Sequence, residues 1–397
     1  MRRQPFKVLF ATFIILLGVV VPARAGNPNC NEVDGDYIVT LPVGKNVDDE
    51  IKTAPGRAIS ANFKYSKALN GFAATLTGEQ VCAFKKRPGT RVEKDGLVEA
   101  TGKPGSGSTS SVDWYSWGLD RIDQNKLPLD LSFNTSSTGV GVTAFIIDTG
   151  IYAGHSQLNG RVLPGFPGIN DGRGTDDCNG HGTHVAGTVG GLNSGVASAV
   201  KLVPVRVLDC RGSGSWSGVI AGINWIITYV QDKTFNGKAV ANMSLGGGIN
   251  ASVDQAVRNM ILLANVTTVV AAGNSSTSAC LSSPADVGEA IVVGATNSDD
   301  SQASYSNSGK CVDIYAPGTN IKSAWIGSPT ASKTISGTSM ATPHVTGIVA
   351  RYLQSKGAST PSIVESDVIA AGKLSPATPN LLVACLTGQN ECKTIQP

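Results

Sequence analysis

Apolar residues follow three different rhythms along this chain, and each predicts a different kind of structure. Residues 8–21 form an unbroken apolar run behind Arg2, Arg3 and Lys7, and Ala23-Arg24-Ala25 follows it. Fourteen residues are too few to span a bilayer, whereas a basic head, an apolar middle and small residues at −3 and −1 describe a signal peptide, residues 1–25, cleaved after Ala25. Next come short apolar runs at 37–41 and 72–76, with helical patterns at 48–53 and 78–86. Fewer than 80 residues of this kind predict a small α+β unit. Residues 101–111 then lose all core-forming side chains to Gly, Ser, Thr and Pro, which predicts an exposed, flexible linker open to cleavage.

From Trp114 onward the pattern changes again. Strand-length apolar runs at 140–147, 202–207, 239–243, 267–272 and 290–293 alternate with helical stretches at 181–189, 218–229, 252–264 and 339–352. This alternation predicts an α/β fold, a mostly parallel sheet with helices on both faces. In such sheets functional residues gather at the carboxyl ends of strands and at the helix starts that follow.

Composition narrows the reading. Charged residues are 15% of the 397, glycines number 47, and the net charge is +3. The chain is globular, and its charge points neither to nucleic acid nor to an anionic membrane. Eight cysteines in an exported chain point to disulfides. None lies in a CxxC pair, and about 105 connectivities are possible.

Three segments carry candidate chemistry. Asp148 ends the apolar run Ala144-Phe145-Ile146-Ile147; His181 opens a small-residue helix in Asn179-Gly180-His181-Gly182-Thr183-His184; Ser339 stands at a helix start in Gly337-Thr338-Ser339-Met340-Ala341-Thr342-Pro343. A serine hydroxyl becomes a good nucleophile when an imidazole accepts its proton, and a buried carboxylate must hold that imidazole in one tautomer. Singly, each segment reads as a turn, a structural histidine or a helix cap. Together, the order Asp…His…Ser is the subtilisin order. His184 lies three residues from His181, but no third ligand accompanies them and it reads as structural. His155 and His344 carry no assigned chemistry.

The three segments, with Asn242-Met243-Ser244-Leu245-Gly246-Gly247-Gly248 and Trp117-Gly118-Leu119-Asp120-Arg121-Ile122-Asp123, resemble the subtilases, in wording close to the proteinase K and aqualysin branch, from about 114 to 386. The resemblance implies a serine endopeptidase in which Asp148 orients the base, His181 is general base and acid, and Ser339 is the nucleophile. Asn274, in Ala271-Ala272-Gly273-Asn274-Ser275, would steady the oxyanion, although Asn274-Ser275-Ser276 is also a glycosylation sequon, as are those at Asn134, Asn242, Asn250 and Asn265. Ser244, Leu245 and Gly246 with Ala271, Ala272 and Gly273 would line an uncharged S1 pocket that favours apolar or aromatic residues. Gly212, Ser213 and Gly214 would pair with an extended substrate, and Trp216 would form a surface rim of S4.

The same resemblance implies structural Ca²⁺. Asp313 with carbonyls near Gly288 and Ala290 would form one site, and Asp120, Asp123 and Gln124 a second; oxygen ligands suit that ion. It pairs Cys178 with Cys210 and Cys280 with Cys311. Cys30 with Cys82 and Cys385 with Cys392 follow by elimination and proximity, and stay open. Residues 26–109 are expected to hold a ferredoxin-like inhibitory propeptide and linker, resembling the family in Leu69-Asn70-Gly71-Phe72-Ala73-Ala74, with residues 110–397 the catalytic domain; the mature N-terminus stays open between about Ala100 and Ser111, with self-cleavage placed near Ser110. A monomer acting on proteins and peptides, with its own propeptide as inhibitor and no nucleic acid or membrane partner, completes the expectation. An α/β-hydrolase esterase is disfavoured because it would need GxSxG and the order Ser…Asp…His. A non-catalytic subtilase fold is disfavoured because it would be expected to lack one of the four residues.

Overall fold

The computed structural model describes residues 31–104, 114, 116–133, 136–357, 359–375 and 382–383, the last pair and 103–104 for the backbone alone. The signal segment 1–25, linker residues 105–111, Asn134, Cys30, Cys385 and Cys392 lie outside them.

The N-terminal unit follows the order strand, helix, two strands, helix, strand. Its antiparallel sheet runs Ala61–Tyr65, Gly71–Leu76, Gly35–Thr40, Arg91–Lys94, with helices Val47–Lys52 and Gly78–Lys85. That is the ferredoxin-like arrangement. Alternation along its strands assigns the two faces. Tyr37, Val39, Leu41, Phe72, Ala74 and Leu76 pack with Val81 and Phe84 into the unit's own core. Ile38, Ala73 and Tyr65 face the other way and join the core of the larger domain. The runs at 37–41 and 72–76 look continuously apolar because both faces of this small sheet are covered.

Among the described residues the large sheet has nine strands. Its order is Lys373–Leu374, Leu382–Val383, Ile314–Pro317, Ile291–Thr296, Thr267–Ala271, Lys238–Met243, Val142–Asp148, Lys201–Arg206, Phe166–Pro167. Its pairings are parallel except that between the first two strands. Ala144 and Ile146 point to a layer holding helices His181–Gly190 and Thr338–Lys356. Phe145 and Ile147 point to the layer of helices Trp216–Gln231 and Ala251–Ala264. Each expected strand and helix is present within a few residues of its predicted bounds. Strand Ile314–Pro317 and helix Pro361–Ala371 were not anticipated. No helix among the described residues is long and apolar enough to cross a membrane.

Candidate active site

Asp148 is the last residue of a central strand and is fully buried. Its Oδ1 accepts from Thr149 N at 2.7 Å, and His181 Nδ1 lies 2.8 Å from Oδ1 and 2.9 Å from Oδ2. The helix that carries His181 starts there because Asp177 caps it. Asp177 Oδ1 accepts from the N–H groups of Asn179 and Gly180, and Oδ2 accepts from Thr183 N and Thr183 Oγ1. Burial would hold the imidazole neutral. The charge and hydrogen bond of Asp148, with Asp177 behind, outweigh it and leave the His181 pKa above its ordinary 6.5.

Ser339 enters from the opposite side, at the second position of helix Thr338–Lys356. Pro343 lies inside that helix and has no N–H to give to the Ser339 carbonyl four residues back. The freed carbonyl accepts from Ser244 Oγ at 3.0 Å, which ties the helix start to the residue after strand Lys238–Met243. Asn274 Oδ1 accepts from Thr338 N at 2.9 Å and Thr338 Oγ1 at 3.0 Å. With its oxygen fixed by two donors, the side-chain NH₂ must face the cleft.

The chain's own residues 97–104 fill that cleft. Leu97–Ala100 is sandwiched antiparallel between Ser213–Ser215 and Leu245–Gly247, and Ala100 N donates to Gly212 O at 2.9 Å. Asn274 Nδ2 donates to Thr101 O, and Thr101 N donates to Ser244 O at 3.3 Å. Gly337 makes room, since a Cβ there would lie 2.4 Å from Thr101 O. Beyond Thr101, a Cβ on Gly102 would lie 3.0 Å from His181 Nε2. Residues 103–104 then pair with Ile335 and Ser336.

The N-terminal unit is anchored behind this strand on two helix N-termini. Glu93 Oε1 accepts from Ala251 N at 3.1 Å and Glu93 Oε2 accepts from Ser252 Oγ; Asp95 Oδ1 accepts from Ser217 N at 3.0 Å. A carboxylate at such an end contributes about 0.3–1 kcal/mol when exposed and up to about 2 when partly buried. Asn224 Oδ1 accepts from the consecutive N–H groups of Ser66, Lys67 and Ala68.

The profile of the subtilase family matches residues 139–377, which span all four candidate side chains at the site. The chain belongs to the subtilase family. It is 49% identical to an extracellular serine proteinase of Thermus sp. (strain Rt41A), over 80% of this chain and 73% of that one. It is 43% identical to alkaline serine exoprotease A of Vibrio alginolyticus, over 81% of this chain and 58% of that one. The solved structure of a cold adapted subtilisin-like serine proteinase superposes with a TM-score of 0.64 at 46% identity, covering 69% of this subtilase and 98% of that chain. This chain is accordingly a serine proteinase with the subtilisin-like fold.

Trp216 opens helix Trp216–Gln231 and is 2% exposed because the strand through 96–98 lies over it: its backbone N–H donates to Gly96 O, and a Cβ on Gly96 would lie 3.0 Å from its ring. One expectation changes: no exposed linker begins at 101, because Thr101 to Pro104 continue through the site. Glycine and small polar residues make a flexible tether, but they also make a chain slim enough to lie in a narrow cleft.

The remaining candidates take separate places. Leu245, paired with Ala100, is buried, as are Ala271 and Ala272, and Gly273 N donates to Thr338 Oγ1. His184 Nε2 faces the carbonyls of Ile321 and Lys333, and burial lowers its pKa to about 3, so it pins a hairpin. Cys178–Cys210 and Cys280–Cys311 are disulfides, as expected. Asn242 and Asn250 are buried, which leaves Asn265 the exposed sequon among the described residues.

Asp313, raised by burial, accepts from Val292 N at 2.8 Å. Glu365 is pushed up to about 7, by burial first and then by the charges of Asp313 and Glu289. A carboxyl raised by the charges of two others marks a locally negative place, which fits a divalent cation held with nearby carbonyls. Asp120 and Gln124, both buried, accept from the backbone of Asp130 and Leu131, which places that second set around one loop. Sequence reasoning assigned no role to Asp177, Thr338 or Thr101. The D-x-x-G preceding the helix could have marked the first as a cap.

Proposed function

We propose that this subtilase is a secreted endopeptidase made as a zymogen, and that its first substrate is its own Thr101–Gly102 bond. One observation carries the reading: Asn274 holds the Thr101 carbonyl oxygen while Ser339 Oγ lies against the hydroxyl of the same residue and His181 faces Gly102. In the reaction Ser339 Oγ loses its proton to His181 Nε2 and bonds to the Thr101 carbonyl carbon. Negative charge gathers on the Thr101 oxygen, where Asn274 Nδ2 donates; loss of such a donor costs about 2.7–4 kcal/mol. The intermediate collapses with scission of the C–N bond, and His181 returns its proton to Gly102 N. Water then releases Thr101 from Ser339 by the same route. Asp148 keeps Nδ1 protonated throughout and stabilises the imidazolium.

Residues up to Thr101 then act as propeptide, inhibiting the cleft through strand 97–100 and the Glu93 and Asp95 caps, and the catalytic chain begins at Gly102 rather than near Ser110. Substrates would add a strand between Ser213–Ser215 and Leu245–Gly247 in the same way, with an uncharged S1 and broad, apolar-leaning specificity. Export through the N-terminal signal, a monomeric mature form and the absence of nucleic acid or membrane partners complete the proposal.

The test is covalent labelling of the secreted protein. Casein hydrolysis is expected, and phenylmethanesulfonyl fluoride should abolish it while adding its sulfonyl mass to the peptide containing Ser339. An adduct elsewhere, or undiminished hydrolysis, would sink the reading.

Asp313 with carbonyls at Gly288 and Ala290, and Asp120, Asp123 and Gln124, would hold calcium, which when bound supplies structural cross-linking and not chemistry. An ion at a hundred times its Kd adds about 2.7 kcal/mol to stability. At roughly 2–4 °C per kcal/mol, EDTA should lower the Tm of the mature enzyme by about 5–10 °C. Asp313→Asn should blunt that response, and an unchanged Tm by calorimetry would remove the Asp313 site.

A further inference from the structure

The nucleophile and its base are not yet in contact. Ser339 Oγ donates to Ser244 O at 3.0 Å and lies 2.5 Å from Thr101 Oγ1, and buried His181 Nε2 has no hydrogen-bond partner. Ser339 has one hydroxyl proton. With that proton on Ser244 O, the hydrogen bond to Thr101 must run from the Thr101 hydroxyl to a lone pair of Ser339 Oγ. The side chain of the residue to be cleaved therefore occupies an attacking lone pair, while the proton that His181 must accept points elsewhere.

We propose that Thr101 is a brake on self-processing, a positioning residue whose hydroxyl holds Ser339 in the unreactive rotamer in the assembled precursor. The inference rests on the function proposed above. Release requires Ser339 to rotate, breaking both hydrogen bonds, before Oγ–H can reach Nε2. The bond-making and bond-breaking that follow are those already given.

The test compares the full chain with Thr101→Val, which keeps the shape and removes the hydroxyl, with Thr101→Ala, and with Thr101→Ser, which keeps the hydroxyl. Refolded chains are sampled over time by intact mass for cleavage after residue 101. T101V and T101A should process about two- to tenfold faster, the factor one net hydrogen bond supplies, and T101S should match the parent. Folded yield is checked in the same variants carrying Ser339→Ala, so a folding defect is visible separately.

A second readout separates the brake from simple pocket fit. On mature enzyme, peptides spanning residues 97–104 with Val in place of Thr101 should show a higher kcat at similar KM. Equal or slower processing of T101V at equal folded yield, or a change confined to KM, overturns the brake. Failure of every variant, parent included, to cleave after residue 101 would instead overturn the proposed function.

Discussion

Replacing Ser339 by alanine should leave a folded chain that never cuts itself after Thr101 and whose kcat on casein falls by about 10⁶, the size of loss carried by removing the serine or histidine of such a triad. The fold should tolerate the change. Ser339 is fully buried, but its hydroxyl makes no bond that the site cannot spare, because Ser244 O retains the N–H of Thr101 and Ser244 Oγ still donates to the residue 339 carbonyl. The variant should therefore accumulate as zymogen with the strand 97–100 still in the cleft. Intact mass and circular dichroism read the processing and the fold, and casein release reads the activity. A Ser339→Ala chain that processes itself at the parent rate would place the nucleophile elsewhere.

The fold and the site were legible to different degrees for physical reasons. Strands such as Val142–Asp148 and Lys201–Arg206 are covered on both faces, so their interiors, 144–147 and 202–205, are apolar without interruption and stand out from the polar turns beside them. Ile314–Pro317 has only four residues, with Gly318 and the Cys311 loop on either side, too short for a periodicity to show. Asp148, His181 and Ser339 were visible because each needs an unusual neighbourhood of small residues that lets backbones approach. Gly337 is the clearest case, pressed against the carbonyl of Thr101. Partnerships across the chain left no such mark. Nothing in Glu93 or Asp95 alone says that they cap helices about 120 and 160 residues further on, and Trp216 looks like an exposed aromatic until the strand that covers it is in place. Thr101 was hidden for a related reason: a substrate segment must be extended, slim and weakly structured, and a linker has the same composition.

Asp148→Asn should lower kcat by about 10⁴ with little change in fold, the cost of trapping the imidazole in the wrong tautomer. Local hydrogen bonds say why the trap should close here. Thr149 N donates to Asp148 Oδ1 at 2.7 Å, so the asparagine carbonyl will stay with Thr149 and its NH₂ will turn to His181. An NH₂ donating to Nδ1 forces the ring proton onto Nε2, the atom that must accept the proton of Ser339. The same substitution removes the charge that keeps the His181 pKa above its ordinary value against burial. In the parent, activity should fall as the pH drops through that raised pKa, because protonated His181 is no base. In D148N burial is opposed only by Asp177, the pKa should drop, and the acid limb of the residual activity should move to lower pH. A kcat/KM–pH profile of both enzymes on one peptide substrate measures the two effects together. A kcat within tenfold of the parent, or an acid limb that does not move, would show that Asp148 does not hold the base of this enzyme.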